Sequence, residues 1–367
     1  IYTCPLNFDF KMSFTIKNEL VMDQKLIPLY IKNISEMLDD GLIVTNENGK
    51  VLLSNLSAQE YLGLNPLNIY IHTLLNINEL KNLVHSDLNG DLENEFYYQT
   101  DDELKRSLII KIKKTEENLF TILLLDMTLQ RNLEKVRRDF VANVSHELRS
   151  PLTSLVGFIE TLLSGDVHEE ATRLKFLKIM DEEAKRMNRL IDDILSLSKV
   201  ETEEHISPTT SISIIDPIRS VMAAIEERGL DKKNKIVLKD MRLNTNKPSF
   251  IVGNFDEINQ VFMNLIENAI KYGYEDTEIT LRLDQVDQQE LVVNIINKGE
   301  GIQQKYIDRL TERFFRIDKA RSRKIGGTGL GLAIVKHILI RHRASLSIKS
   351  EINKETIFSI CFPLIKP

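Results

Sequence analysis

Apolar residues in the middle of the chain recur at spacings of three and four, which predicts a long helix with one apolar face. This stripe consists of Val141, Val144, Leu148, Leu152, Leu155, Ile159 and Leu162. At about 100° per residue, His146 lies about 200° from both Val144 and Leu148, so its imidazole is expected to face solvent. Glu147 is placed to hold the other ring nitrogen and raise the basicity of the imidazole. His146 is therefore a candidate nucleophile, although a surface histidine beside a solvated glutamate explains the two residues taken alone.

A second apolar stripe follows a break at residues 164–166 and predicts an antiparallel partner helix. Its members are Leu174, Leu177, Met180, Ala184, Met187, Ile191 and Ile194. Two such helices make only half a core, so we expect two copies of the hairpin to pair as a four-helix bundle. Packing of the hairpin on the other domains of its own chain is the alternative. We assign residues 129–200 to the hairpin and the polar, proline-containing residues 201–211 to a linker.

Short strands separated by turn residues precede the first long helix. A helix through Ile34 and Leu38 is followed by strands at 41–45 and 50–54 around a Glu-Asn-Gly turn, and by a short helix that ends at Gly63. Further strands are predicted at 95–98, 108–113 and 119–125. The order resembles a PAS sensor domain, so residues 29–128 are assigned to a PAS-like domain with a dimerising or signal-transmitting role. Residues 1–28 stay unassigned.

The residues of the PAS-like region do not indicate a bound ligand. His72 and His85 are more simply surface or core residues than haem ligands. The region 29–128 contains no cysteine that a flavin adduct would need.

The last part of the chain, residues 212–367, alternates strand and helix patterns and predicts an α/β domain. A helix from Asp256 to Tyr272 carries Asn264, Asn268 and Lys271 at positions i, i+4 and i+7, which is one helix face. Two amides and an ammonium on one face suit a Mg²⁺-bound triphosphate, because Mg²⁺ takes a few oxygen ligands and keeps waters. A solvated polar face is the alternative for this spacing alone.

Two glycine clusters lie downstream of that helix. The cluster at 326–331 runs into an amphipathic helix, where glycines permit close backbone approach and helix amides favour phosphate. It is not a P-loop, since no Gly-Lys-Ser/Thr follows, and it is not a dinucleotide fingerprint, since no strand precedes it. The other cluster, Asn-Lys-Gly-Glu-Gly, occupies residues 297–301.

These motifs together resemble those of bacterial sensor histidine kinases. Residues 145–152, Ser-His-Glu-Leu-Arg-Ser-Pro-Leu, resemble the phosphoacceptor box, and residues 264–272 the N box. Residues 297–302 match the first glycine box, residues 314–324 the F box and ATP lid, and residues 326–331 the second glycine box. The resemblance covers residues 130–367, and residues 140–146 and 186–195 look most like phosphate-regulon sensor kinases.

The resemblance implies a multidomain α+β protein: a PAS-like α/β sensor domain, an antiparallel helical hairpin forming a dimeric four-helix bundle, and an α/β-sandwich ATP-binding domain of the gyrase/histidine-kinase type. It implies catalytic roles for His146, Glu147 and Ser150, and a Mg²⁺ held by the carbonyl oxygen of Asn268. The residues that it implies for ATP binding are Asn264, Asn268, Lys271, Tyr272, Asn297, Gly299, Gly301, Phe314, Gly327, Thr328, Gly329, Leu330 and Gly331.

The function implied is ATP-dependent autophosphorylation of His146 in a homodimer, followed by transfer to an aspartate of a cognate response regulator. Ser150, four residues after His146, is expected to serve in dephosphorylating that regulator, and the subgroup implies phosphate-starvation signalling. The family has Asp where this chain has Asn297, and a neutral acceptor implies about tenfold weaker ATP affinity.

Two other functions remain open. A sensor scaffold or phosphatase-dominant protein would follow from a nucleotide site weakened at Asn297. A hydrolytic ATPase like gyrase needs a glutamate base where this chain has Asn264.

Composition limits the partners. The 367 residues indicate two or three domains, and a net charge of −6 gives no electrostatic reason to expect nucleic acid. No stretch approaches the roughly 20 apolar residues of a membrane span. The first residue is Ile1 rather than Met, so an upstream anchor stays open. The expected location is the cytoplasm, or the inner membrane if such an anchor exists.

Overall fold

The computed structural model describes residues 33–75, 94–100, 105–114, 119–165, 167–229, 234–242, 249–285, 289–318 and 327–365. The chain divides into two compact units, Ile1–Asp139 and Phe140–Pro367. Among the described residues, no helix combines the length and the hydropathy that a bilayer-spanning segment needs.

The first unit is built on a five-stranded antiparallel sheet with the strand order β2-β1-β5-β4-β3. Its strands are β1 (Gly41–Thr45), β2 (Val51–Ser54), β3 (Asn94–Gln99), β4 (Ser107–Lys114) and β5 (Phe120–Asp126), and its helices are α1 (Leu56–Leu62) and α2 (Ile71–Leu74). Alternate residues such as Ile110, Ile112, Ile122 and Leu124 are buried, as half-buried strands require. The predicted hairpin and the three later strands are confirmed.

The helices of this unit follow the prediction less closely. Gly63 ends α1 in the left-handed conformation at φ 69°, as predicted. The helical residues described before β1 end at 36, so Leu38, which was predicted to belong to this helix, lies outside it. His72 lies on α2 and contacts the ring of Tyr70, with 5.5 Å between ring centroids. His85 lies outside the described residues.

Asn55 ties three segments of the first unit together. Its buried side-chain oxygen accepts the N–H groups of Leu42 in β1 and Ala58 in α1, at 2.8 and 3.0 Å. Its amide nitrogen donates to the carbonyls of Ser35 and Asp40, each at 2.9 Å. All four bonds go to backbone groups, so this side chain fixes the start of α1 against the first strand.

The second unit begins on the helical hairpin. Helix α3 (Thr128–Leu163) starts in the first unit and continues without interruption through Pro151, and α4 (Glu170–Glu203) returns beside it. The rings of Phe158 and Phe176 join the two helices, with 5.0 Å between centroids. The predicted break is confirmed, but α4 continues three residues into the predicted linker, because Glu201 and Glu203 form ion pairs there. The domain boundaries otherwise stay predictions.

The hairpin leaves much of its apolar stripe uncovered in the single chain. Several of its large apolar side chains are exposed: Val141, Leu152, Val156, Ile159, Leu163, Leu174, Leu177, Ile191 and Leu195. Apolar side chains in such a continuous row are normally buried against another helix.

The rest of the second unit is a layered α/β structure. Its strands are β6 (Ser211–Ser213), β7 (Lys235–Asp240), β8 (Phe250–Val252), β9 (Glu278–Gln285), β10 (Glu290–Lys298), β11 (Ser345–Glu351) and β12 (Glu355–Pro363), and its helices are α5 (Ile215–Glu227), α6 (Phe255–Tyr272), α7 (Gln304–Ile307) and α8 (Gly331–Arg341). Five strands form a sheet with the order β11-β12-β10-β9-β7, in which β7 runs parallel to β9, and the helices pack on one face of this sheet. Strands β6 and β8 form a separate two-stranded sheet. The predicted α/β domain is therefore present.

One continuous apolar core lies between this sheet and its helices. The ring of Phe262 in α6 packs on Phe362 in β12, with 6.4 Å between centroids. Leu190, Leu197 and Val200 of α4 are buried in the same core. Helix α4 thus packs with α3 through one part of its length and into the α/β core through its last turns.

Candidate nucleotide and phosphoacceptor site

A cavity of about 590 Å³ lies where α6, the loop before α8 and the last turns of α4 meet. Most of the predicted ATP-binding residues line it: Asn264, Asn268, Lys271, Tyr272, Asn297, Gly301, Gly327, Thr328, Gly329 and Gly331. Gly299, Phe314 and Leu330 are not among its lining residues. Residues 319–326, which contain most of the predicted lid, lie outside the described residues.

The three predicted residues that do not line the cavity have roles in the packing of the fold. Leu330 is fully buried in the α/β core. Phe314 accommodates a positive φ of 62°, donates its N–H to the carbonyl of Gly329 at 2.9 Å, and packs on Phe140 of α3. A Cβ on Gly299 would lie 2.7 Å from the carbonyl oxygen of Tyr272, so a side chain there would push the end of α6 away.

The polar face of α6 forms one side of the cavity. Asn254 caps this helix, which begins at Phe255: its side chain accepts the N–H groups of Asp256 and Glu257. The ammonium of Lys271 pairs with Glu267 at 2.8 Å. The amide of Asn264 donates to the carbonyl of Gly331 at 3.3 Å and so joins α6 to the start of α8.

The donors present fit a magnesium triphosphate. The cavity contains the side-chain amide of Asn268, the ammonium of Lys271 and glycines that leave the start of α8 uncovered. Among the residues that the structure describes, no cluster of three or more His, Cys, Asp and Glu side chains could hold a metal. The side-chain carbonyl oxygen of Asn268 suits Mg²⁺, which keeps waters and takes phosphate oxygens beside one or two protein ligands.

Asn297 lies on β10 at the cavity wall and is only 4% exposed. Thr356, its partner in register on β12, also lines the cavity. The apolar side chains Ile302, Leu310 and Phe358 complete this part of the wall. A few polar groups among apolar walls suit recognition of a planar base.

The predicted acceptor residues lie on α3. His146 and Ser150 are exposed, one turn apart, and neither lines the cavity. The expectation that Glu147 holds the imidazole is not met. Its carboxylate instead pairs with Arg186 of α4 at 3.2 Å and with Arg316 at 3.4 Å, because consecutive side chains on a helix diverge by about 100°.

Three side chains of α4 reach the cavity, and sequence reasoning missed them. Arg189, Asp192 and Asp193 line it, and the hydroxyl of Thr328 donates to Asp193 Oδ2 at 2.6 Å. Burial raises the pKa of the Asp193 carboxyl, while the Thr328 hydrogen bond and the charge of Lys271 oppose the rise. Thr328 and Asp193 are 135 residues apart, so no local pattern could indicate the contact.

The end of α4 is held by basic side chains of the α/β structure. Arg313 pairs with Glu201 at 2.7 Å, and Arg341 pairs with Glu203 at 2.9 Å. His337 lies 2.6 Å from Glu204 and 3.4 Å from Glu201. These contacts fix the direction in which α4 enters the α/β core.

His342, next to this cluster, is a buried neutral histidine. Its Nε2 accepts the N–H of Asn254 at 3.0 Å, and its Nδ1 contacts the carbonyl of Ile338 at 2.7 Å, which fits a proton on Nδ1. Burial lowers the pKa of His342. The nearby carboxyl of Glu257, which pairs with Arg341, has its pKa raised by burial.

Comparison with known families matches two parts of the chain. A family model described as "His Kinase A (phospho-acceptor) domain" matches residues 136–203. A second, described as "Histidine kinase-, DNA gyrase B-, and HSP90-like ATPase", matches residues 253–366. The first match covers most of the α3–α4 hairpin with His146, and the second covers the α/β structure from α6 onward, with most of the residues that line the cavity.

Similar proteins extend this match over most of the chain. The phosphate regulon sensor protein PhoR of Pseudomonas aeruginosa is 32% identical over 339 residues, which are 90% of this chain and 74% of that protein. The sensor histidine kinase WalK of Bacillus subtilis is 32% identical over 91% of this chain, which spans 55% of its length. A sensor protein kinase WalK of Staphylococcus aureus is 33% identical over 89% of this chain and 79% of its own length.

The buried His342 predicts a pH dependence of stability. Because its folded-state pKa is depressed, the unfolded chain takes up the proton first, so stability is present above the ordinary pKa of about 6.5 and is lost as pH falls below it. The loss is at most about 1.4 kcal/mol per pH unit. In His342→Gln, whose side-chain oxygen can still accept the Asn254 N–H, this part of the slope should disappear.

The measurement is urea denaturation of both proteins at pH 7.5, 6.5 and 5.5. Glu257 opposes the trend, since a raised carboxyl pKa adds stability as pH falls, but it is present in both proteins and keeps its partner Arg341 in both. His168→Gln, at an exposed position after α3, is the control and should keep the wild-type slope. Equal slopes in the wild type and in His342→Gln would contradict the assignment of a neutral His342.

Proposed function

This chain belongs to the bacterial two-component sensor histidine kinases and is a protein histidine kinase, and we propose that it phosphorylates itself on His146. The observation that carries the proposal is the cavity that unites the polar face of α6, the glycine loop before α8 and Asn297. An exposed imidazole on α3 of the same unit supplies an acceptor. ATP is the substrate that fits this combination.

The chemistry is phosphoryl transfer to nitrogen. A ring nitrogen of His146 attacks the γ-phosphorus, the bond from phosphorus to the bridging oxygen breaks, and ADP leaves. Asn268 would hold the Mg²⁺, which neutralises charge that develops on the phosphate oxygens. Lys271 adds a positive charge, and the backbone amides at the start of α8 orient the phosphates. Asn297 accepts a hydrogen bond from the adenine amino group.

His146 does not line the cavity, so transfer requires a further movement. Either the α/β structure moves along the hairpin to reach His146 of its own chain, or it reaches His146 of a second copy. Both routes carry the predicted nucleotide-binding residues along together, because the walls of the cavity apart from α4 belong to the α/β structure.

We propose that the protein acts as a homodimer. The exposed apolar row on α3 and α4 is the support, since two hairpins would bury these side chains in a four-helix bundle. A dimer would also bring the His146 of a second copy near the α/β structure of each chain.

The next acceptor is proposed to be an aspartate of a cognate response regulator. The exposed hydroxyl of Ser150 lies one turn after His146 and is able to orient a water for the reverse hydrolysis. Loss of regulator dephosphorylation in Ser150→Ala, with His146 labelling retained, tests that role. The proposed part in phosphate-starvation signalling is supported by the likeness to PhoR. The WalK proteins are equally similar, so this likeness does not by itself favour phosphate as the signal.

The first unit is proposed to be a PAS-like sensor domain. The strand order β2-β1-β5-β4-β3 and the helices between β2 and β3 support this, together with the exit from β5 directly into α3. A change in the first unit would then be passed along the continuous helix α3 to the hairpin. We place the kinase part in the cytoplasm, where ATP and the regulator are present.

Two features argue against the other functions. Asn264, at the position of a gyrase-type base, is an amide that bonds to Gly331, so it cannot activate water for ATP hydrolysis. Glu267 also lines the cavity, but its carboxylate is held by Lys271. A scaffold without catalysis has Asn297 as its only support, and an amide oxygen can still accept a hydrogen bond.

The direct test is incubation with γ-labelled ATP and Mg²⁺, followed by mapping of the labelled residue. The wild type should acquire an acid-labile, base-stable phosphate, and His146→Gln should acquire none while binding ATP normally, because acceptor and nucleotide cavity are separate. His168→Gln, another exposed histidine, should label as the wild type does. Acid-labile label in His146→Gln would show that the acceptor lies elsewhere.

Asn297 provides a test of base recognition. Asn297→Asp should tighten ATP binding several-fold, since a charge-assisted hydrogen bond to the adenine amino group is about twice as strong as a neutral one. Affinity for GTP should scarcely change or should fall, because guanine presents an acceptor at that position and repels the carboxylate. Titration calorimetry with both nucleotides measures this. Weaker or unchanged ATP binding would mean that the wall is built around the amide.

A further inference from the structure

The nucleotide cavity is closed on one side by a helix of the hairpin. Arg189, Asp192 and Asp193 of α4 line it, and the Thr328 hydroxyl bonds to Asp193 at 2.6 Å. Thr328 belongs to the glycine loop, which is the segment proposed to hold the phosphates. The contact that closes the cavity is therefore made by the loop that ATP needs.

The charges around Asp193 show which ligand this contact opposes. Lys271 of α6 faces the carboxylate favourably, whereas Glu267 of α6 and Asp192 of α4 face it unfavourably. Burial already disfavours the ionised form of Asp193. A Mg²⁺-bound triphosphate in the cavity would add about two net negative charges and would draw Lys271 to itself, so it would repel the carboxylate in this partly buried place.

A second contact couples the same cavity to the acceptor helix. Arg316, which lines the cavity, pairs with Glu147, the residue after His146, at 3.4 Å. Its side chain is 6% exposed. A bound triphosphate would attract this guanidinium as well, and the pull would weaken the link to α3.

We propose that Asp193 is a charge latch: it holds α4 on the glycine loop while the cavity lacks a triphosphate, and ATP binding releases it. This rests on the proposed function, in which the cavity binds ATP. The latch keeps the α/β structure docked on its own hairpin, away from His146, until ATP is present. Release frees the α/β structure to carry ATP to an acceptor histidine.

The test uses Asp193→Asn, which removes the charge but keeps an oxygen that can accept the Thr328 hydroxyl. In the full chain, the affinity for a non-hydrolysable ATP analogue with Mg²⁺ should rise about tenfold, the effect of removing one like charge at short range. Affinity for adenosine, which has no phosphate, should be equal in the two proteins. Asp181→Asn, on an exposed part of the same helix, should behave as the wild type.

Hydrogen exchange measured by mass spectrometry separates release of the helix from simple repulsion. In the wild type, the ATP analogue should speed amide exchange in residues 189–203 of α4, and adenosine should not. Slower or unchanged exchange with the analogue would overturn the latch.

The titrations have two contrary outcomes. Weaker binding of the analogue by Asp193→Asn would make Asp193 a ligand of the metal or nucleotide, and equal binding would remove its coupling to the phosphates. If neither protein binds the analogue or adenosine, the nucleotide site itself is wrongly assigned.

Discussion

The burial of the last turns of α4 in the core of the α/β structure is the interaction on which the second unit depends. Leu190, Leu197 and Val200 are almost fully buried there, so the helix that forms the hairpin with α3 also completes the catalytic core. The same turns bring Asp193 to the glycine loop. Without this packing, the cavity would lose one wall and the acceptor helix would lose its fixed relation to the nucleotide site.

The polar contacts around this packing suit an interface that opens. Arg313, His337 and Arg341 meet the glutamates at the end of α4, and Thr328 and Arg316 meet Asp193 and Glu147 nearer the cavity. Partly exposed ion pairs contribute little net stability, yet they set orientation and respond to added charge. A few buried apolar anchors with a charged rim are typical of domain interfaces that move.

Local patterns predicted the parts of the fold in which one periodicity decides the structure. The stripes of α3 and α4 and the alternation in the strands of both units were found because a regular helix or strand repeats its apolar positions with one fixed period. The polar face of α6 and the glycine loop were found because spacing alone places Asn264, Asn268 and Lys271 together. The burial of Leu330 was not foreseen, since a position inside a glycine motif does not reveal that its side chain enters the core.

Contacts between distant segments were beyond sequence reasoning. Glu147 was expected to orient His146, but Arg186 and Arg316 compete for its carboxylate, and they lie 39 and 169 residues away. Asp193 gave no signal, because an aspartate on the polar side of an amphipathic helix is ordinary. Its role appears only when the glycine loop folds against it.

The central claim, that nucleotide controls the docking of α4 on the α/β structure, is tested most directly by a distance between them. Spin labels at Lys185 on α4 and Lys336 on α8, both exposed, report it in a chain whose Cys4 and Cys361 are replaced by serine. Dilution with unlabelled protein removes distances between copies. Pulsed electron resonance should give one narrow distance without nucleotide and a longer, broader distribution with a non-hydrolysable ATP analogue and Mg²⁺. A distribution that the analogue leaves unchanged would contradict the account.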